Sequence, residues 1–276
     1  MVISEHLSRP TVHRNLQLVF GAFAVVAATL IALRPDAPHP LFQAAGTIGY
    51  AIAAVLSFGS LLAPRDATRR ILIVFHLLFV PAQFLFLLAH QAPWIGMALS
   101  VVITAALRPR FPRLGRTSRK TWLTLHVGAG VGWLGVSLAM LALAVMGMTA
   151  DDPQARHSAY AFMGTFNVAL AIPSVLFTMV TGAVVSFGTP WGLVRHRWVL
   201  AKFVIALALP VLATLEGSWI DLLAERTADP AAAPGGTGTL LTGAMALFFT
   251  LLWIAVVLSV FKPGGRTRWG LRAAGR

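Results

Sequence analysis

Apolar residues in this chain do not alternate with polar ones at a helical or strand period. They gather into long runs separated by short polar connectors. Such runs, bounded by charge, Pro or Gly, fall at about 16–33, 42–62, 71–89, 92–107, 121–148, 157–187, 198–217 and 239–261. A hydrocarbon layer about 30 Å thick takes about 20 residues of α-helix to cross. The pattern therefore predicts an all-α, polytopic transmembrane helix bundle of about eight helices. The fourth run is short, and its alternative is a tilted or re-entrant segment. The first run has the length of a signal peptide's apolar region, but no small-residue cleavage site follows it, so a retained helix is expected.

Breaks in the runs give the organisation. Pro81, Pro173 and Pro210 interrupt helices three, six and seven, where each is expected to kink its helix and free a backbone carbonyl. Asp152 before Pro153 reads as an N-cap and first helical position. The Pro- and Arg-rich stretch from Arg108 to Lys120 divides the chain into two four-helix halves. These are an N-terminal half at 1–110, a basic linker at 111–120 and a C-terminal half with a basic tail at 121–276. Phe111 and Leu114 are expected to dip into the headgroup layer, and Thr227 to Gly238, rich in Ala, Pro and Gly, to be a flexible external loop. The halves show no sequence repeat.

Charge fixes the expected orientation. The chain of 276 residues carries a formal net charge of +13, yet only 11% of it is charged and 57% is hydrophobic, far from a soluble domain. Nucleic acid binding needs basic residues gathered on a soluble face. Here, all of the 22 Lys and Arg residues except Arg34, Arg156, Arg226 and Lys202 lie before helix one, on alternate connectors or in the tail. By the positive-inside rule those segments are cytoplasmic, which puts both termini inside a bacterial inner membrane, with anionic lipid as the partner of the basic face. Trp94 and Trp219 then mark outer helix ends, and Trp122, Trp191, Trp198 and Trp269 inner ones. With no Cys, thiolate ligands and nucleophiles are excluded.

Polar residues inside spans are the candidate chemistry, because lipid makes them costly. His76, Gln83 and His90 recur at sevens on helix three; His126, Gly130, Trp133 and Ser137 share a face of helix five; Asn167, Ser174, Thr178 and Thr181 share a face of helix six. His76 lies six residues past Arg70 and His126 six past Lys120, so each imidazole is expected about 9 Å inside at about 1.5 Å per residue. Lys202, five residues past Arg197, reaches a similar level. Two neutral imidazoles at one depth suit ligation of a haem iron from opposite sides, with Lys202 meeting a propionate and Gly128, Gly130 and Gly132 giving clearance for the macrocycle.

Each feature also has a plainer reading. His76 can bond a carbonyl freed by Pro81; His90 and Glu216 sit near the outer boundary where water solvates them. Gly128 and Gly132 form a helix-packing GxxxG, Lys202 snorkels, Asn167 is interhelical glue, and His13, His39, His157 and His196 are exposed loop residues. Walker A, dinucleotide-binding glycine, HExxH and Gly-x-Ser-x-Gly motifs are absent from the sequence, as is an acidic cluster within the spans.

The run TWLTLHVGAGVGWLG from Thr121, with FGTPWGLVRHRWVLAKFVIAL later, resembles a group of uncharacterised bacterial four-helix integral membrane proteins. More distantly it is similar to the copper-resistance D type and to the haem-binding membrane protoporphyrinogen oxidase. The carrying residues are His126, Trp133, Gly135, Trp198 and Lys202, within about 118–262. The resemblance implies haem or porphyrin handling. Those relatives often place a second His toward the far end of the Lys-bearing helix; this chain has Glu216 there, so His76 would have to substitute. Two readings stay open. One is a haem b- or porphyrin-associated redox protein with His126, His76 and Lys202 at its site. The other is a non-catalytic complex subunit or small-solute transporter without a cofactor.

Overall fold

The computed structural model describes residues 10–35, 40–62, 65–87, 92–107, 113–193, 195–268 and 270–271. It is helical, with no strand among those residues. The helices are α1 (Pro10–Ala32), α2 (Pro40–Leu62), α3 (Arg65–Phe86), α4 (Pro93–Leu107), α5 (Arg116–Thr149), α6 (Pro153–Phe166), α7 (Ile172–Gly188), α8 (Arg197–Arg226) and α9 (Gly235–Phe261). A π turn, Asn167–Ala171, joins α6 to α7 without a break, so the two form one crossing, Pro153–Gly188.

Among the described residues seven helical segments, with Pro153–Gly188 counted as one, are long and apolar enough to cross a membrane. The exception is α4, whose 15 residues span about 22 Å. Large apolar side chains such as Val127, Val131, Phe162, Leu240, Leu247 and Val260 point outward. A water-soluble chain rarely leaves so much apolar surface uncovered. This is a polytopic membrane protein. His90, His39, Asp36, Arg108, Arg110, Phe111 and Trp269 lie outside the described residues.

The chain divides into two compact units, Met1–Arg110 and Phe111–Arg276. In the first, each helix packs along the next and α4 returns to α1. Phe20, Tyr50, Phe79 and Phe86 fill the centre. A polar chain crosses it: Tyr50 donates to Gln83 Oε1 at 2.7 Å, and the Gln83 amide donates to Ser100 Oγ at 3.3 Å. Gly96 makes this possible, since a Cβ there would collide with the Gln83 amide oxygen and the Tyr50 hydroxyl.

In the second unit α5 packs along α6, α7 and α9, while α8 packs along α6 and α9. Asp152 caps α6, its carboxylate accepting from the Gln154 and Ala155 amides at 3.1 and 3.3 Å with Pro153 in the first turn. Beyond the π turn, α7 follows α5 rather than α8. A π turn inserts one residue into the helical register, and Pro173 just after it lacks the N–H that would restore the ladder. The helix changes course at that point.

Several sequence expectations are corrected. Helix α8 does not end near Glu216 but runs to Arg226, because Ile220 and Leu223 continue its buried stripe while Asp221 and Glu225 face outward. The segment from Thr227 to Gly238 is braced rather than loose: Arg156 Nη1 donates to Ala232 O at 3.1 Å and Asp229 accepts from the Ala231 amide at 3.0 Å. Apart from these corrections, Leu114 packs on Gly188 and its amide donates to Gly188 O at 2.9 Å. Gly128 and Gly132 make no close helix contact, for a Cβ at either meets nothing within 4 Å. After α9 the chain folds back, with Lys262 left-handed (φ 48°), the Arg197 amide bonded to Gly265 O and the Thr267 amide to Arg195 O.

Candidate functional site

His126 sits in the first half of α5, on the face turned to α7. Its Nδ1 lies 3.1 Å from Thr178 O and 3.2 Å from Thr181 Oγ1. A carbonyl only accepts, so Nδ1 carries the proton. Thr181 is ready to share it, because its own hydroxyl donates to Phe177 O at 2.7 Å. The imidazole can approach this closely because residue 182 is glycine, where a Cβ would lie 2.9 Å from Cε1 of the ring. In the neutral imidazole the lone pair is thereby assigned to Nε2. Nε2 makes no hydrogen bond to any described residue.

Gly130 follows one turn on, and a Cβ there meets nothing within 4 Å, so open space adjoins the imidazole as the spacing suggests. Trp133, two turns on, is buried edge-on to Phe248 at 5.9 Å with Leu209 and Leu252 around it. It is a core residue of the unit. Lys202 comes from the first turns of α8. Its Nζ donates to Ser259 Oγ at 2.6 Å, lies 6.0 Å from the Trp198 ring centroid, and is within electrostatic reach of His126. The ammonium is tied to α9 rather than extended to the helix end.

His76 belongs to the other unit. It is completely buried there, 4.9 Å from the Phe20 ring and 5.2 Å from Phe75, both edge-on. Among the described residues no three His, Asp or Glu gather as a metal-binding group. Of the histidines expected in exposed loops, His157 and His196 are half-buried, His157 Nδ1 lying 3.4 Å from Thr227 Oγ1 and His196 Nδ1 2.8 Å from Trp191 O.

The sequence singled out Trp133, Ser137 and Asn167 in the spans of the second unit but not the π turn or the burial of Glu216 beside them. There the π turn, α5, α7, α8 and α9 line a partly open cavity of about 50 Å³. Trp133, Ser137, Asn167, Glu216 and Phe248 are among the residues on its wall. Glu216 is 3% exposed and makes no hydrogen bond or ion pair with any described residue; its Oε1 is fully buried. His126 is not on this wall.

The chain matches no protein-family model, no curated protein and no solved structure. Its site is read from its own residues.

Proposed function

We propose that the second unit handles haem b or a related porphyrin in a bacterial cytoplasmic membrane, and that His126 is the residue that would hold its iron. The observation that carries this is the His126 imidazole itself, with Nδ1–H held by Thr178 O and Nε2 free. Metal-bound histidines characteristically donate their second ring N–H to a carbonyl, which fixes the ring and makes the ligating nitrogen more basic. The donor chemistry fits. Gly130 leaves the adjoining helix face open, and Lys202 supplies a cation for a propionate. The cavity of about 50 Å³ is too small for a macrocycle, which would be held instead at the open face beside α5. His76 is enclosed by Phe20 and Phe75 in the other unit, and the reading does not depend on it.

A haem held there supplies one-electron chemistry. What the chain contributes is orientation through Thr178 and Thr181, a positive charge at Lys202 and a water-poor helical surround. The basic connectors favour both termini in the cytoplasm, next to anionic lipid. A C-terminal tag should then resist protease added to intact cells. The test of the cofactor is the absorption spectrum of the detergent-purified protein, expressed with haem supplied, before and after dithionite. A Soret band that shifts on reduction is expected; its absence overturns the reading.

One observation favours a second reading, a small-solute or ion transporter without a cofactor. It is the cavity at the π turn, where Ser137, Asn167 and Glu216 interrupt a mostly apolar wall and a membrane-depth helix departs from its regular ladder.

A further inference from the structure

Glu216 is a carboxyl group enclosed among membrane-crossing helices with no partner of its own. A charge in such a place needs a counter-charge or must be neutralised. The wall around it offers no counter-charge. Met140 and Trp133 come from α5, Val175 from α7, and Met245 and Phe248 from α9, and Glu216 is the one ionisable group among the lining residues.

Two neutral oxygen-bearing side chains share the space. Ser137 is buried, and its hydroxyl has no hydrogen-bond partner. Helical hydroxyls in this chain ordinarily bond the carbonyl one turn back, as Thr149, Thr165, Thr242 and Ser259 do. Ser137 does not, which leaves its oxygen for the cavity. Asn167 opens the π turn and reaches toward α8, where Gly217 leaves room: a Cβ on Gly217 would already touch the Asn167 amide at 3.7 Å. A carboxamide presents an oxygen as readily as an N–H. The volume of about 50 Å³ is room for about three water-sized occupants. It admits an ion with a water or two.

We propose that this cavity binds one small monovalent cation, a proton or a largely dehydrated alkali ion, on the Glu216 carboxylate, with the Ser137 hydroxyl and the Asn167 amide completing the site. Cation and carboxylate neutralise each other inside the bundle. The π turn builds the site by swinging Asn167 into line with Glu216 and by parting α7 from α8. The proposal does not rest on the haem reading, since His126 is not on the cavity wall. An optical spectrum reads His126, whereas the following experiment reads Glu216.

The purified full-length protein, in detergent and in buffer free of alkali ions, is treated with dicyclohexylcarbodiimide at neutral pH and mapped by mass spectrometry. This reagent adds to protonated carboxyl groups in apolar surroundings. Glu216 is expected to be modified, with no label on that peptide in Glu216→Gln, and Ser137→Ala and Asn167→Leu are expected to change the rate several-fold. Infrared difference spectra of wild type against Glu216→Gln give a second readout, a carboxylic acid carbonyl band at neutral pH, for the case that the reagent cannot enter. Suppression of both signals by added sodium or lithium chloride, but not by choline chloride, identifies an alkali ion as occupant. Signals indifferent to alkali salt identify the proton. Absence of both label and band in alkali-free buffer overturns the site, as does labelling that Ser137→Ala and Asn167→Leu leave unchanged.

Discussion

The Nδ1 atom of His126 is 3.1 Å from the carbonyl oxygen of Thr178, and that one distance assigns the imidazole its tautomer. A neutral ring must carry its proton on Nδ1 and its lone pair on Nε2. Nitrogen-15 NMR of histidine-labelled protein should show one signal pair of this tautomer that disappears in His126→Gln. An Nε2–H tautomer for that residue would remove the basis for ligation.

Gly182 sets the position of the same ring. A Cβ there would sit 2.9 Å from Cε1 and 3.3 Å from Nδ1, tighter than side chains pack. Gly182→Ala should push the imidazole off Thr178 and weaken a hydrogen bond whose net contribution is about 1 kcal/mol. The expected results are a shifted His126 signal and a stability loss of about 1–2 kcal/mol from overpacking. An unshifted signal would mean that the helix pair simply yields.

How far these features were legible depends on which property set them. The crossings were readable because apolar length answers directly to bilayer thickness, and the cap at Asp152 because a carboxylate before Pro153 meets the free amides of a first turn. The placement of Gly130 beside His126 followed from helical spacing alone. The end of α8 was not readable: Glu216 and Asp221 looked like a polar stop, whereas Ile220 and Leu223 keep one stripe buried through Arg226. Nor was the π turn, since its hydrogen-bond register belongs to no single residue type. The cavity beside Glu216 depends on that register. Lone spacing also misled at Gly128 and Gly132, whose GxxxG pattern says that a helix could approach and not that one does.

In the first unit the Tyr50–Gln83–Ser100 chain should behave as a coupled network. Tyr50→Phe removes the 2.7 Å bond and leaves the Gln83 oxygen buried without a donor, a loss of about 1–3 kcal/mol. Gly96→Ala, which drives a methyl into the same two groups, should cost about 1–3 kcal/mol. Thermal unfolding in detergent of the two single variants and the double variant tests this. Simple additivity of the two losses would show that the groups are not coupled.

Capping at Asp152 offers a local counterpart. Asp152→Ala strands the Gln154 and Ala155 amides and should lower the stability of the first turn of α6 by about 1 kcal/mol. Hydrogen exchange should accelerate at the start of α6 and stay unchanged in α9. Uniform acceleration across the protein would contradict a local role.

The central claim is that Nε2 of His126 is a ligand atom, and chemical rescue tests it most directly. Absorption spectra are compared for wild type, His126→Gly, and His126→Gly with added imidazole. The account predicts a dithionite-responsive Soret band in wild type, its loss in His126→Gly and its return with imidazole. A His126→Gly spectrum identical to wild type, or no Soret band in any sample, would contradict it.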